Sequence, residues 1–141
     1  MSLTAYLPHR PPALLVTEIL SVKEGGSVCL ARVPVDSPFV LAASETFPTY
    51  LALEMGAQAA AACEALQRAS EGEPRAGFVV RVNEARFHRA VLPVDADYRV
   101  TTSLVRAAPP LRVWRVRVEL EEDTVAEGEL VTYATELGSS D

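Results

Sequence analysis

The chain alternates between stretches of period-two patterning and one long stretch that has none. Residues Ala13 to Val22 form an apolar, β-branched-rich run that follows the stiff Pro8-His9-Arg10-Pro11-Pro12 segment. It predicts a first strand, closed by the turn Glu24-Gly25-Gly26. Ser27 to Val35 returns as its hairpin partner, and Asp36 to Thr46 is a loop opened by an Asp-Ser-Pro turn signal. After Phe47 the pattern changes. Pro48 suits a first helical turn with Thr46 or Phe47 as cap, and Tyr50 to Arg68 is dominated by Ala, Leu, Glu and Gln. A helix of that length spans about 30 Å, the width of a small domain. Ala57, Ala59, Ala60, Ala61, Ala62 and Ala65 leave it almost no polar face, which predicts a buried helix whose small side chains admit close neighbours.

Past the polar stretch Ser70-Glu71-Gly72-Glu73-Pro74 the patterning is that of strands: Ala76 to Phe87, Tyr98 to Ala107, Leu111 to Glu122 and Thr124 to Ala134. The third of these is the cleanest. Trp114, Val116, Val118 and Leu120 alternate with Arg115, Arg117, Glu119 and Glu121, giving one dry and one wet face. Thr135 to Asp141 reads as a loose tail. About six strands with short links favour antiparallel pairing. A twisted antiparallel sheet wrapped round one long central helix, an α+β fold, buries all of them economically.

Composition narrows the function. At 141 residues the chain reads as one domain over 1–141, with 49% hydrophobic and 23% charged residues, a globular balance. The net charge of −6 opposes a nucleic-acid partner. No uncharged apolar stretch is long enough to span a bilayer, and Met1 to Arg10 lacks the pattern of a signal peptide, so the expectation is a cytoplasmic protein away from membranes. Cys29 and Cys63 are too few for a disulfide scaffold or a zinc site and read as small buried hydrophobes. His9 and His88 are the entire imidazole supply.

Three stretches carry a resemblance to a known family. They are Leu7-Pro8-His9-Arg10-Pro11-Pro12-Ala13-Leu14-Leu15-Val16, then Phe47-Pro48-Thr49-Tyr50-Leu51-Ala52-Leu53-Glu54-Met55-Gly56-Ala57-Gln58-Ala59, then Asn83-Glu84-Ala85-Arg86-Phe87-His88-Arg89-Ala90-Val91-Leu92-Pro93. In order and spacing the chain resembles the hot-dog-fold 3-hydroxyacyl-acyl-carrier-protein dehydratases, most of all the subgroup of aryl-polyene and related pigment clusters. The resemblance implies a dimer whose active sites lie at the interface. A loop histidine of one chain takes the α-proton of a 3-hydroxyacyl thioester. A helix carboxylate of the other helps the β-hydroxyl leave as water, giving the trans-2-enoyl thioester. A backbone N–H at the helix start holds the thioester carbonyl. No metal or organic cofactor is implied.

On this sequence the resemblance implies Glu54 as the catalytic acid, with Gln58 four residues on and on the same face. The apolar neighbours Leu51, Leu53, Met55 and Ala57 would favour its protonated form. Thr49, which stands where the family has glycine, and Tyr50 are the implied substrate-binding positions. The departure is in the loop from Pro38 to Thr46, which contains no histidine. His9 reads as a loop-anchoring residue and His88 as a surface or docking one. Arg75, Arg81, Arg86, His88 and Arg89 form a basic run offset by Glu84; it is either a solvated strand edge or a docking patch for an acidic acyl carrier protein. The leading expectation is a dehydratase, as a homodimer or as a heterodimer with a homologous hot-dog chain that supplies the missing base. Its rivals are a non-catalytic subunit and a thioesterase or acyl-binding protein on the same fold.

Overall fold

The computed structural model describes residues 13–41, 43–70 and 75–136. The His9 segment, the stretch 71–74 and the tail beyond Glu136 lie outside the described residues. The elements are β1 (Val16–Lys23), β2 (Gly26–Ala31), β3 (Thr46–Pro48), α1 (Tyr50–Ser70), β4 (Arg75–Phe87), β5 (Val91–Pro93), β6 (Tyr98–Ala108), β7 (Leu111–Leu120) and β8 (Asp123–Glu136). Six strands form an antiparallel sheet in the order β1-β2-β6-β7-β8-β4, and β3 pairs with β5 in a separate ribbon.

The expected architecture is present, with several boundaries moved. β1 begins at Val16 rather than Ala13 because the backbone N–H groups of Leu15 and Val16 donate to the Gln58 side chain, at 2.8 and 3.2 Å. β2 stops at Ala31, short of Val35; beyond it Val33 O accepts instead from Asp95 N–H at 2.9 Å. Pro48 lies in β3, and Thr49 takes the capping position, its carbonyl accepting from Ala52 N–H at 2.8 Å. β7 ends at Leu120 because Glu121 and Glu122 form the turn, both with positive φ. β8 runs on through Thr135 and Glu136, residues expected in the tail, because they pair with Ala76 and Arg75 of β4. His88 lies in the turn after β4 rather than on the strand.

The helix lies against the concave face of the sheet. Ala52, Met55, Ala59, Ala60 and Ala62 are fully buried, and β7 presents Trp114, Val116 and Val118 to the core. Small helix residues bring the two backbones together, and Gly56 marks the tightest point. A Cβ there would sit 3.0 Å from Val116 Cγ2.

The burial of the helix includes one acid the apolar pattern did not anticipate. Glu64 is fully buried and accepts a hydrogen bond from the Thr132 hydroxyl at 2.8 Å. Thr132 in turn accepts from Trp114 Nε1–H at 3.0 Å, and Arg112 Nε lies 3.8 Å from Glu64. A buried carboxylate needs such partners. They fasten the second half of α1 to β7 and β8.

Candidate functional site

The first two turns of α1, the segment before β1 and the strand β4 enclose a cavity of about 490 Å³, within the range of small-molecule sites. Tyr50, Leu53, Glu54 and Ala57 face it from the helix, an i, i+3, i+4, i+7 stripe, together with Leu51. Val79 and Val82 wall it from β4, Ala13 and Leu15 from the N-terminal side, and Phe39 from the loop. Glu54 is the one ionisable carboxylate among these residues, and every other wall is aliphatic or aromatic. Met55, expected beside Glu54, instead turns fully into the core.

Gln58 holds Glu54 and the N-terminal segment together. Its Oε1 accepts from Leu15 and Val16 N–H, while Nε2 donates to Ala13 O at 2.7 Å and to Glu54 Oε1 at 3.2 Å. A glutamine amide has two donor hydrogens and two acceptor lone pairs. All four are engaged, and the side chain is fully buried. Gln58 therefore holds the Glu54 carboxylate and has its own amide fully engaged within the chain.

Thr49 does not line the cavity. Its N–H donates to Ala90 O at 3.2 Å and its hydroxyl donates to Arg89 O, so the N–H that the resemblance aims at a thioester carbonyl is taken. Tyr50 stands at the cavity mouth and is 60% exposed. By helix geometry, the N–H groups of Tyr50 and Leu51 have no intrahelical carbonyl to bond.

The basic run divides in two. Arg81 and Arg86 are exposed on β4 and make no ion pair among the described residues. His88 Nε2 lies 3.0 Å from Glu127 Oε2, and Arg89 donates to Asp123 at 3.2 Å. The hydrogen bond from His88, aided by the charges of Arg117 and Arg86, holds the Glu127 carboxyl below its ordinary range. The side chain of Arg75 lies outside the described residues. β4 is unusually bare: from Val79 to Val91 every residue except Asn83 is exposed, although the strand pairs with β8 along one edge. Sequence reasoning missed Val79 and Val82 as cavity walls. Their signal was the apolar run Val79, Val80 and Val82 around Arg81, exposed on the strand.

Other candidate chemistry is quiet. Burial pushes the Cys63 thiol up to about 11 and raises Cys29 as well, so both are inert at neutral pH. Among the described residues no cluster of three or more His, Cys, Asp or Glu could hold a metal, and no helix is long and apolar enough to cross a membrane.

Comparison with known proteins shows the family and the fold. The family model described as ApeP-like, for the ApeP dehydratases, matches residues 1–140. The chain is 30% identical over 132 residues to the 3-hydroxyacyl-[acyl-carrier-protein] dehydratase FabZ of Oceanobacillus iheyensis, covering 91% of each protein. It is 30% identical over 139 residues to FabZ of Streptococcus sanguinis, covering 94% of each. Among solved structures, the dehydratase heterocomplex ApeI:P from Xenorhabdus doucetiae superposes with a TM-score of 0.86 at 21% identity, over 96% of this chain and 92% of that one. A hypothetical thioesterase from Streptococcus pneumoniae, solved with coenzyme A, gives 0.65 at 15% identity, over 86% and 88%. The fold is the hot-dog fold, and the chain belongs to the ApeP-like dehydratase family.

Proposed function

We propose that this dehydratase converts a 3-hydroxyacyl thioester, carried on an acyl carrier protein, to the trans-2-enoyl thioester, with Glu54 as the acid. The observation that carries the proposal is the single carboxylate set in an apolar cavity of about 490 Å³. The FabZ relatives, named for this reaction, support the substrate class. In the reaction an imidazole base removes the α-proton. The Cβ–O bond breaks as Glu54, protonated, gives its proton to the departing hydroxyl. Water leaves, and solvent returns the proton from imidazolium to carboxylate. Gln58 orients Glu54, Tyr50 borders the acyl thioester at the mouth, and Thr49 supports that mouth from behind. The first-turn N–H groups of Tyr50 and Leu51 hold the carbonyl, where the helix dipole favours developing negative charge.

The base comes from a second hot-dog chain. The loop from Pro38 to Thr46 has no histidine, and His88 lies outside the cavity, engaged with Glu127. A homologous partner that covers bare β4 and carries a loop histidine completes the site around Glu54. The ApeI:P heterocomplex supports such pairing. Arg81, exposed and without an ion pair among the described residues, gives the carrier-protein patch most of its attraction; Arg86, whose charge also acts on Glu127, and the paired His88 and Arg89 add less.

The test is to incubate a 3-hydroxyacyl carrier protein with this chain alone, with a histidine-bearing homologue alone, and with both. The readout is the mass loss of one water. The mixture is expected to exceed the sum of the two, and Glu54→Gln to abolish the excess while the complex still forms. Ordinary turnover by this chain alone overturns the split site. The missing loop histidine also favours a second reading, a non-catalytic subunit, which requires Glu54→Gln to leave the mixture's rate unchanged.

A further inference from the structure

The β3–β5 ribbon is three residue pairs long, with Thr46 opposite Pro93, Phe47 opposite Leu92 and Pro48 opposite Val91. Proline has no N–H to give, so two of these six residues contribute no donor. The ribbon's deep end is anchored otherwise. Phe47 and Leu92 are fully buried, and Tyr98 O–H donates to Pro93 O. At its shallow end the ribbon runs into the turn from His88 to Ala90, and there one residue supplies both fastenings. Thr49, 4% exposed, donates its N–H to Ala90 O at 3.2 Å and its hydroxyl to Arg89 O.

The same turn is held on its far side by the sheet. His88 N–H donates to Val125 O at 3.0 Å, and the Arg89 side chain donates to Asp123 at 3.2 Å. Three residues thus bridge β8 and the first turn of α1, where Tyr50 borders the cavity mouth. Phe87 and Val91, either side of the turn, are 45% and 42% exposed, so an apolar margin flanks a turn whose His88 and Arg89 are each paired with a carboxylate.

We infer that Thr49 is a positioning residue that fastens this basic turn to the mouth of the cavity, so that a carrier protein gripping the turn presents its acyl group in line with Glu54. The inference rests on the carrier-protein docking proposed above. The hydroxyl matters because it reaches the carbonyl of Arg89, whose guanidinium is tied to Asp123 of β8, whereas the N–H reaches only Ala90.

The test compares one acyl group, 3-hydroxyoctanoyl, presented on acyl carrier protein and on pantetheine, with Kd measured by NMR titration on the same assembly. Thr49→Val keeps the shape and the N–H bond but removes the hydroxyl; Thr49→Ala is the second variant should Val pack badly. Either is expected to weaken carrier-borne binding at least fivefold more than pantetheine-borne binding. Thr49→Ser is expected to return the ratio to within twofold of wild type. Equal weakening of both ligands, no weakening, or failure of Ser to rescue overturns the inference. Arg89→Ala separates the two levels. If Arg89→Ala alters the ratio and the Thr49 variants do not, the fastening is wrong and docking stands. If Arg89→Ala leaves the ratio untouched, docking at this turn is wrong, and the inference falls with it.

Discussion

Gln58 Nε2 donates to Glu54 Oε1 at 3.2 Å, across one helical turn, while its Oε1 draws in the backbone of Leu15 and Val16. One buried amide thereby joins the carboxylate of the cavity to the entry of the first strand. Stability and the placing of the Glu54 carboxylate are coupled at this residue.

Gln58→Leu, close in volume, strands two backbone N–H groups and the Ala13 carbonyl. Each buried group left unpaired costs about 1–3 kcal/mol. With three such groups we expect a loss of about 3 kcal/mol or more in urea unfolding with the m-value unchanged, and a fall in activity larger than any change in partner binding.

Gly56→Ala sets two effects against each other. Alanine gains about 1 kcal/mol of helix propensity, but its Cβ meets Val116 Cγ2 at 3.0 Å and Cβ at 3.1 Å. Overpacking costs about 1–3 kcal/mol, so the variant should be less stable. Val116→Ala also destabilises alone, by leaving a cavity. The double variant should be more stable than the sum of the two single losses allows, and a thermal-unfolding double-mutant cycle checks this.

The Glu127 carboxyl titrates below its ordinary value of 4.5, chiefly because His88 hydrogen-bonds to it. A depressed folded-state value stabilises the fold above the unfolded value, and that contribution is lost as the pH falls through the folded one. The window is therefore acidic, below about 4.5, and neutral pH leaves the contribution intact. His88→Ala should raise the Glu127 midpoint in a carboxyl NMR titration, with Arg117 and Arg86 retaining part of the depression. An unchanged midpoint would show that the pair does not form in solution.

The long strands were legible because burial imposes a period on them, and the helix because its Ala-rich composition favours one and leaves almost no polar face. Trp114, Val116 and Val118 alternate with exposed Arg115 and Arg117 as read from the sequence. β3 and β5 were not legible, since three residues carry too little periodicity and Pro48 and Pro93 argue against a strand. The place of Glu54 on the cavity wall fits its position in the helix stretch that carries the resemblance. The tasks of Gln58 and Thr49 were not legible, because each depends on which distant backbone arrives beside it: residues 13–16 for one, the turn at Arg89 and Ala90 for the other. Glu64 was hidden for the same reason. Its partners Thr132 and Arg112 come from strands dozens of residues away.

The register of β4 slips twice, between Val79 and Arg81 and between Asn83 and Arg86, with Glu84 at a φ of 51°. A straight strand of 13 residues with one open edge is a template on which copies stack without end. Two kinks a few residues apart cut that template into lengths too short for a flat stack. Arg81 and Arg86 add repulsion between identical strands. What remains is an edge that does not serve as a flat template for repeated stacking.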